Sequence, residues 1–159
     1  MRGITVETAT PQNIEEMLKI EHECFTAEAY TRQQILSLLE SKDALALLTR
    51  VDGDASGFII ALLETEGNHR LGHVVTIDVA VRYRQKGLGS FLLRKMENLL
   101  SEKGVEAVYL EVRVDNQAAL RLYEKQGYLK AELLEHYYST RIHGLRLVKR
   151  LQPKQNAFS

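Results

Sequence analysis

Arg84-Gln85-Lys86-Gly87-Leu88-Gly89 lies between a β-branched run (Val74, Val75, Thr76, Ile77, Val79) and an amphipathic stretch that begins at Leu88. The pattern predicts a strand, a basic glycine loop and a helix start. Glycine at 87 and 89 lets the backbone take dihedrals closed to other residues and turn its N–H groups toward one point. That point lies at the positive end of a helix dipole, an arrangement that binds phosphate oxygens. An ordinary strand-to-helix turn uses the same residue types, so R-x-x-G-x-G alone leaves both readings open. A second chemical feature is Glu111, which interrupts the apolar strand Val108-Tyr109-Leu110-Glu111-Val112. A carboxylate there either accepts a proton, directly or through water, or sits on the solvated face that strand alternation creates.

Composition limits what such residues can serve. The chain has 159 residues, 45% of them hydrophobic, enough for one domain that buries a core without disulfides or metal. Lys+Arg and Asp+Glu are equal at 21 each, so no electrostatic footprint argues for nucleic acid, and a small-molecule or peptide ligand fits better. The single cysteine, Cys24, excludes an internal disulfide, and no Cys/His spacing suits zinc. Cys24 reads as a core residue of the first helix. No apolar run approaches the roughly 20 residues of a membrane span, and the N-terminal residues carry no signal-peptide pattern. These features predict a soluble, cytoplasmic protein, monomer or homodimer, with no metal.

The elements that must position the loop and Glu111 alternate along the chain. An extended Ile4-Thr5-Val6-Glu7 precedes a helix capped by Thr10, with Pro11 in its first turn and an apolar stripe of Ile14, Met17, Leu18 and Ile20. A second helix follows Thr31, with Gln34 completing a capping box and Ile35, Leu38 and Leu39 facing inward, and ends near Lys42. Ala44 to Val51 and Gly57 to Leu63 form a hairpin through Asp52-Gly53-Asp54, and Glu66-Gly67-Asn68-His69 makes the next turn. After the glycine loop, Leu88, Phe91, Leu92, Met96, Leu99 and Leu100 keep helical spacing up to Gly104. A strand from Val105 to Val112, a helix opened by Asp115 or Asn116 and stopped at Gly127, and strands Tyr128 to Tyr138 and about Leu145 to Leu151 complete the order βααβββαβαββ. The reading is a single α/β domain over residues 1–151, with about seven mostly antiparallel strands and four helices, and a frayed tail over 152–159.

This order, together with two sequence blocks, resembles the GNAT acetyltransferase superfamily from Ile4 to about Leu151. The more specific block is the 19-residue run Leu110-Glu111-Val112-Arg113-Val114-Asp115-Asn116-Gln117-Ala118-Ala119-Leu120-Arg121-Leu122-Tyr123-Glu124-Lys125-Gln126-Gly127-Tyr128. It is similar to the L-E/H-V-R-x-S-N-x-x-A-x-x-L-Y-x-x-x-G-F/Y stretch of protein N-terminal acetyltransferases, including the ribosomal-protein alanine group. Gly72-His73-Val74-Val75-Thr76-Ile77 is similar to the strand G-H-I/V-T/V-S-I/L of archaeal and eukaryotic amino-terminal acetyltransferases.

The resemblance implies direct transfer of acetyl from acetyl-CoA to an amine, with no covalent enzyme intermediate. It implies that the main chain of Ile77, Asp78 and Val79 runs along the pantetheine arm, and that Gln85, Lys86, Gly87, Leu88, Gly89 and Ser90 wrap the pyrophosphate. Arg84 then stands at the motif's leading basic position, and Lys86 beside it; either guanidinium or ammonium steers phosphate or is simply solvated. The N–H of Val79 is the candidate donor to the oxyanion. Glu111 takes the position of the family's catalytic glutamate. His73 takes the position of a residue facing the amine and otherwise reads as a hydrogen-bonded strand histidine. Tyr123 takes that of a tyrosine facing the leaving sulfur, and without the resemblance is a core aromatic. Asn116 either holds the pantetheine or caps its helix.

For the acceptor side, Glu28-Ala29-Tyr30 resembles the E-N-Y loop that lines a peptide groove, and Tyr137-Tyr138 the paired tyrosines of the opposite hairpin. Tyr30 is equally placed to be the hydrophobic staple before Thr31. The chain departs from the pattern at four places. Asp78 replaces a small residue, and either recognises a cationic amine or turns into a polar pocket. Val81-Arg82 lacks the usual proline, Phe25-Thr26-Ala27 replaces Phe-Pro-Trp, and Gly144-Leu145-Arg146 lacks Asp-Ala. The expected activity is N-acetyl transfer to the α-amine of a protein or peptide. The alternatives are a small-molecule amine as acceptor, or an acyl-CoA-binding module without turnover.

Overall fold

The computed structural model describes residues 3–139 and 142–152, without the side chains of 135–139 and 142. The strands are β1 (Ile4–Thr8), β2 (Ala44–Val51), β3 (Asp54–Glu66), β4 (His69–Val79), β5 (Ala107–Arg113), β6 (Leu129–Ser139) and β7 (Ile142–Arg150). The helices are α1 (Ile14–Cys24), α2 (Arg32–Glu40), α3 (Leu88–Glu102) and α4 (Gln117–Lys125). They follow the expected order, and the strands form one mixed sheet in the order β1-β2-β3-β4-β5-β7-β6. The chain divides into two compact units, Met1–Leu62 with Thr76–Met96 and Leu63–Val75 with Glu97–Ser159.

In the first unit, β1, β2 and β3 are consecutive antiparallel neighbours, with Ile4 opposite Val51 and Ala44 opposite Leu62. The apolar stripe of α1 packs with Ile35 of α2 and with Leu48, Phe58 and Ile60 of the sheet. Burying such side chains contributes about 1.5–3 kcal/mol each. Local chemistry sets the helix ends. Thr31 Oγ1 accepts the Gln34 N–H at 3.2 Å while the Gln34 side chain accepts the Thr31 N–H at 2.8 Å. α2 stops at Glu40, two residues short of the expected end, because Ser41 is already extended. Thr10 caps a 3-10 turn over Pro11–Asn13, and the α-helix proper opens at Ile14. The stripe continues one step further than the apolar residues do: Glu21, one helical turn after Met17 and Leu18, is fully buried.

In the second unit, β5 is the hub. Its Val108, Leu110 and Val112 are buried, while Tyr109, Glu111 and Arg113 take the other face. It pairs antiparallel with β7 from Ala107↔Arg150 to Arg113↔Gly144, and parallel with β4 through Leu71↔Ala107, Gly72↔Val108 and His73↔Tyr109. Beyond that last pair β4 runs on for six residues and β5 for four. Gly72 is required where it stands, since a Cβ there would meet a Leu100 methyl of α3 at 2.9 Å. Among the described residues no helix is long and apolar enough to cross a membrane.

Candidate active site

The register His73↔Tyr109 places two rings on one face of the sheet, and they stack at 4.5 Å with planes 5° apart. Glu111, two residues after Tyr109 on the same face, brings Oε2 to 3.1 Å from His73 Nε2. The other ring nitrogen, Nδ1, looks toward Glu64 Oε2 of β3 at 3.5 Å. Tyr109 closes the set by donating its hydroxyl to Glu64 Oε1 at 2.5 Å. Burial and the charges of Glu64 and Glu111 hold that phenol well above its ordinary range, so it remains a donor. Arg146, opposite Glu111 on β7, lies 3.8 Å from Glu111 Oε1 and stands over the Tyr109 ring.

Exposure is graded across the cluster: the side chain of Glu111 is 10% exposed, His73 22% and Glu64 37%. Glu111 is therefore largely withdrawn from water. A neutral His73 that donates Nε2–H to Glu111 presents its Nδ1 lone pair as a proton acceptor on the more open side. The arrangement can take a proton from a bound group and spread the resulting charge between an imidazole and a carboxylate.

The first unit holds the glycine loop. The left-handed dihedrals fall at Gln85 (φ 62°) and Gly87 (φ 80°). The expectation at Gly89 is corrected: α3 begins at Leu88, so Gly89 already lies within the helix. A Cβ on Gly87 would find nothing within 4 Å, so the backbone there is open to approach. Leu88 is buried and anchors the helix start, and Lys86 extends over Tyr83 at 6.0 Å. Open backbone, a helix N-terminus and the charges of Arg84 and Lys86 fit a phosphate group.

Arg84 is not merely solvated. Its Nε–H donates to the Val79 carbonyl at 3.0 Å, and its Nη2 reaches Cys24 Sγ at 3.3 Å. Cys24 is half-buried and donates its S–H to the same carbonyl at 3.4 Å. Burial above all pushes its thiol up to about 11. Along β4, Ile77 and Val79 are half-buried and alternate with buried Thr76 and Asp78. The Asp78 carboxyl accepts the Thr76 hydroxyl at 2.6 Å and contacts Glu21, so it takes the polar-pocket alternative and does not present itself to a cationic amine. Whatever Asp78 offers to a bound molecule is main chain.

Asn116 caps α4, its Oδ1 accepting the Ala119 N–H at 3.1 Å. Tyr123 is buried edge-on to Tyr128, with centroids 5.9 Å apart, and Tyr128 donates its hydroxyl to Glu97 at 2.8 Å. Tyr30 packs on the first unit's core with Ile35, as a staple would, and its N–H donates to Glu21 Oε2 at 3.0 Å. Glu28 is exposed in the same loop, and Ser90 is half-buried in the first turn of α3. The side chains of Tyr137 and Tyr138 lie outside the described residues. Glu64, Tyr109, Arg146 and Glu21 were not singled out from sequence. Tyr109 was within reach, since it sits two residues before Glu111 on an alternating strand.

Residues 14–128 match the model of the acetyltransferase (GNAT) family. An N-alpha-acetyltransferase of Sulfurisphaera tokodaii is 31% identical over 143 residues, 84% of this chain and 85% of that protein. The structure of Ard1 from Thermoplasma volcanium superimposes with a TM-score of 0.83 at 28% identity, covering 94% of this chain and 99% of that one. Arabidopsis thaliana NAA60 in complex with acetyl-CoA shares the fold, with a TM-score of 0.82 at 21% identity over 93% of this chain and 98% of that one. The chain belongs to the GNAT family and is an acetyl-CoA-dependent N-acetyltransferase.

Proposed function

We propose that this enzyme acetylates the α-amino group at the N-terminus of a protein or peptide, by direct attack of the amine on acetyl-CoA, in the cytoplasm. The observation that carries the reading is the His73–Glu111 couple, an imidazole held by a withdrawn carboxylate. An α-ammonium has a reference pKa of about 8, against about 10.4 for lysine, so this couple is a sufficient base for the first and a poor one for the second. Glu111 orients His73 through Nε2–H. Nδ1 accepts the proton, directly or through water, and Glu111 stabilises the imidazolium.

Acetyl-CoA supplies the acetyl group as a thioester. In this reading the main chain of Ile77, Asp78 and Val79 lies along its pantetheine, and the Val79 N–H faces the oxygen that gains charge, a donor worth about 3 kcal/mol in other enzymes. Residues Arg84 to Ser90 hold the phosphates. Asn116, with Oδ1 committed to its cap, contributes through its amide NH2. Tyr123 offers the leaving sulfur a hydrogen bond. Its phenol is a weaker acid than a thiol, and complete proton transfer would be uphill by about 2 kcal/mol. Glu28 and Tyr30 line the peptide side. The small-amine alternative draws on Asp78 and on the missing Phe-Pro-Trp and Asp-Ala signatures; of these, the Asp78 carboxyl faces Thr76 and Glu21.

The test is acetyl-CoA-dependent thiol release with short peptides beginning in Ala, Ser, Met or Met-Glu, beside spermidine and free amino acids. Peptide turnover with acetyl on the α-amine is the expected result. Turnover confined to the small amines would overturn the reading.

A further inference from the structure

Two carboxyl groups meet inside the first unit, and neither has a role in the chemistry above. Glu21 of α1 is 0% exposed and Asp78 of β4 is 1% exposed. Each uses one oxygen on a donor: Glu21 Oε2 accepts the Tyr30 N–H, and Asp78 Oδ1 accepts the Thr76 hydroxyl. Each also buries one oxygen with no donor, Glu21 Oε1 and Asp78 Oδ2, while the two carboxyls lie within hydrogen-bonding contact of each other. Two buried carboxylates in contact could not both ionise, and a buried acceptor left without a donor is destabilising. One proton on Asp78 Oδ2, donated to Glu21 Oε1, satisfies both orphaned oxygens at once.

We infer that Asp78 is a protonated positioning residue: its hydrogen bond to Glu21 holds the carboxylate that in turn anchors the Tyr30 N–H, and so fixes the acceptor-side loop 25–31 against β4. The charged or titratable groups facing Asp78 are Glu21 and Cys24 from α1 and Arg84 from the glycine loop. Burial and the Glu21 charge raise the Asp78 carboxyl well above its ordinary range, and the Thr76 hydroxyl and Arg84 only partly offset them. The Glu21 carboxyl accepts the Tyr30 N–H through Oε2, which leaves Oε1 to accept from Asp78. The positioning role rests on the proposed use of loop 25–31 by the acceptor, but the shared proton does not.

The shared proton has its own readouts. In infrared spectra of the whole protein at neutral pH, the carbonyl stretch of a protonated carboxylic acid should be present, and absent from Asp78→Asn. A group bound to its proton more tightly when folded stabilises fully below its unfolded pKa of about 3.9 and loses that contribution as pH rises toward its folded value. The Tm of Asp78→Asn should therefore gain on the wild type steadily from about pH 4 upward. Parallel Tm curves, or no acid band that the substitution removes, would overturn the shared proton even if peptides are acetylated. For the positioning role, Asp78→Ala should raise KM for the acceptor the enzyme turns over by about tenfold while kcat changes less than about threefold. Asp78→Asn, which still donates to Glu21, should restore KM to near the wild-type value. An unchanged KM in Asp78→Ala, or a loss that Asp78→Asn does not rescue, would overturn it. Should the alanine variant fail to fold, the asparagine variant must still keep KM and flatten the pH dependence.

Discussion

The His73 cluster and the Glu21–Asp78 pair are built from the same material, two carboxylates each, yet burial sends them in opposite directions. Around His73 the carboxylates find nitrogen and hydroxyl donors and keep a face to water: Glu111 has the imidazole, Glu64 has Tyr109, and the exposed edge lies at Glu64. Around Asp78 both acids are buried, and among the described residues Arg84 only partly offsets their charge, so a proton neutralises one of them. A charged site reachable from solvent can exchange protons with a substrate. A sealed one keeps its proton and serves as a joint.

The contrast fails if Glu111 or His73 substitutions cost stability more than turnover, or if Glu21 substitutions cost turnover more than stability. The largest effect is expected from Glu111→Gln, which removes the anion at His73 Nε2. Turnover should fall by about 10²–10³-fold with KM for acetyl-CoA nearly kept, read from steady-state kinetics with Tm as control. His73→Phe should lose about 10²-fold in kcat and shift little in thermal unfolding. Tyr123→Phe should lower kcat by about tenfold at unchanged acetyl-CoA affinity, and full activity in that variant would remove the residue from the mechanism. On the sealed side, Glu21→Ala orphans both the Tyr30 N–H and the Asp78 acid. It should cost about 2 kcal/mol in denaturant unfolding while kcat stays within severalfold of wild type. The smallest effect is expected from Tyr109→Phe, where Glu64 loses a donor at a solvated edge, at about 1 kcal/mol or less of stability.

Much of this was readable from local chemistry. The capping box at Thr31 and Gln34, the α1 stripe and the order of elements depend on residues a few positions apart, and the structure contains them as expected. Residues that meet through strand register were harder. Arg146 reaches Glu111 because β7 pairs with β5, and Glu64 reaches His73 from a strand whose sequence gives no sign of it. Glu21 carried a readable signal, a carboxylate at the next position of an apolar stripe, but its partner lies 57 residues away, at Asp78. The loop erred by one kind of residue. Composition points to glycine for left-handed backbone, and Gln85 takes that conformation while Gly89 is absorbed by the helix.

The half-buried cysteine has a practical side. With its thiol at about 11, its S–H on the Val79 carbonyl and the Arg84 guanidinium against its sulfur, Cys24 carries about one part in a thousand of reactive thiolate near pH 8. It is the chain's single cysteine. A colorimetric thiol reagent added to the reaction therefore reacts much faster with released coenzyme A than with the catalyst. Enzyme concentration can then be raised until even a crippled variant gives a readable signal above its blank.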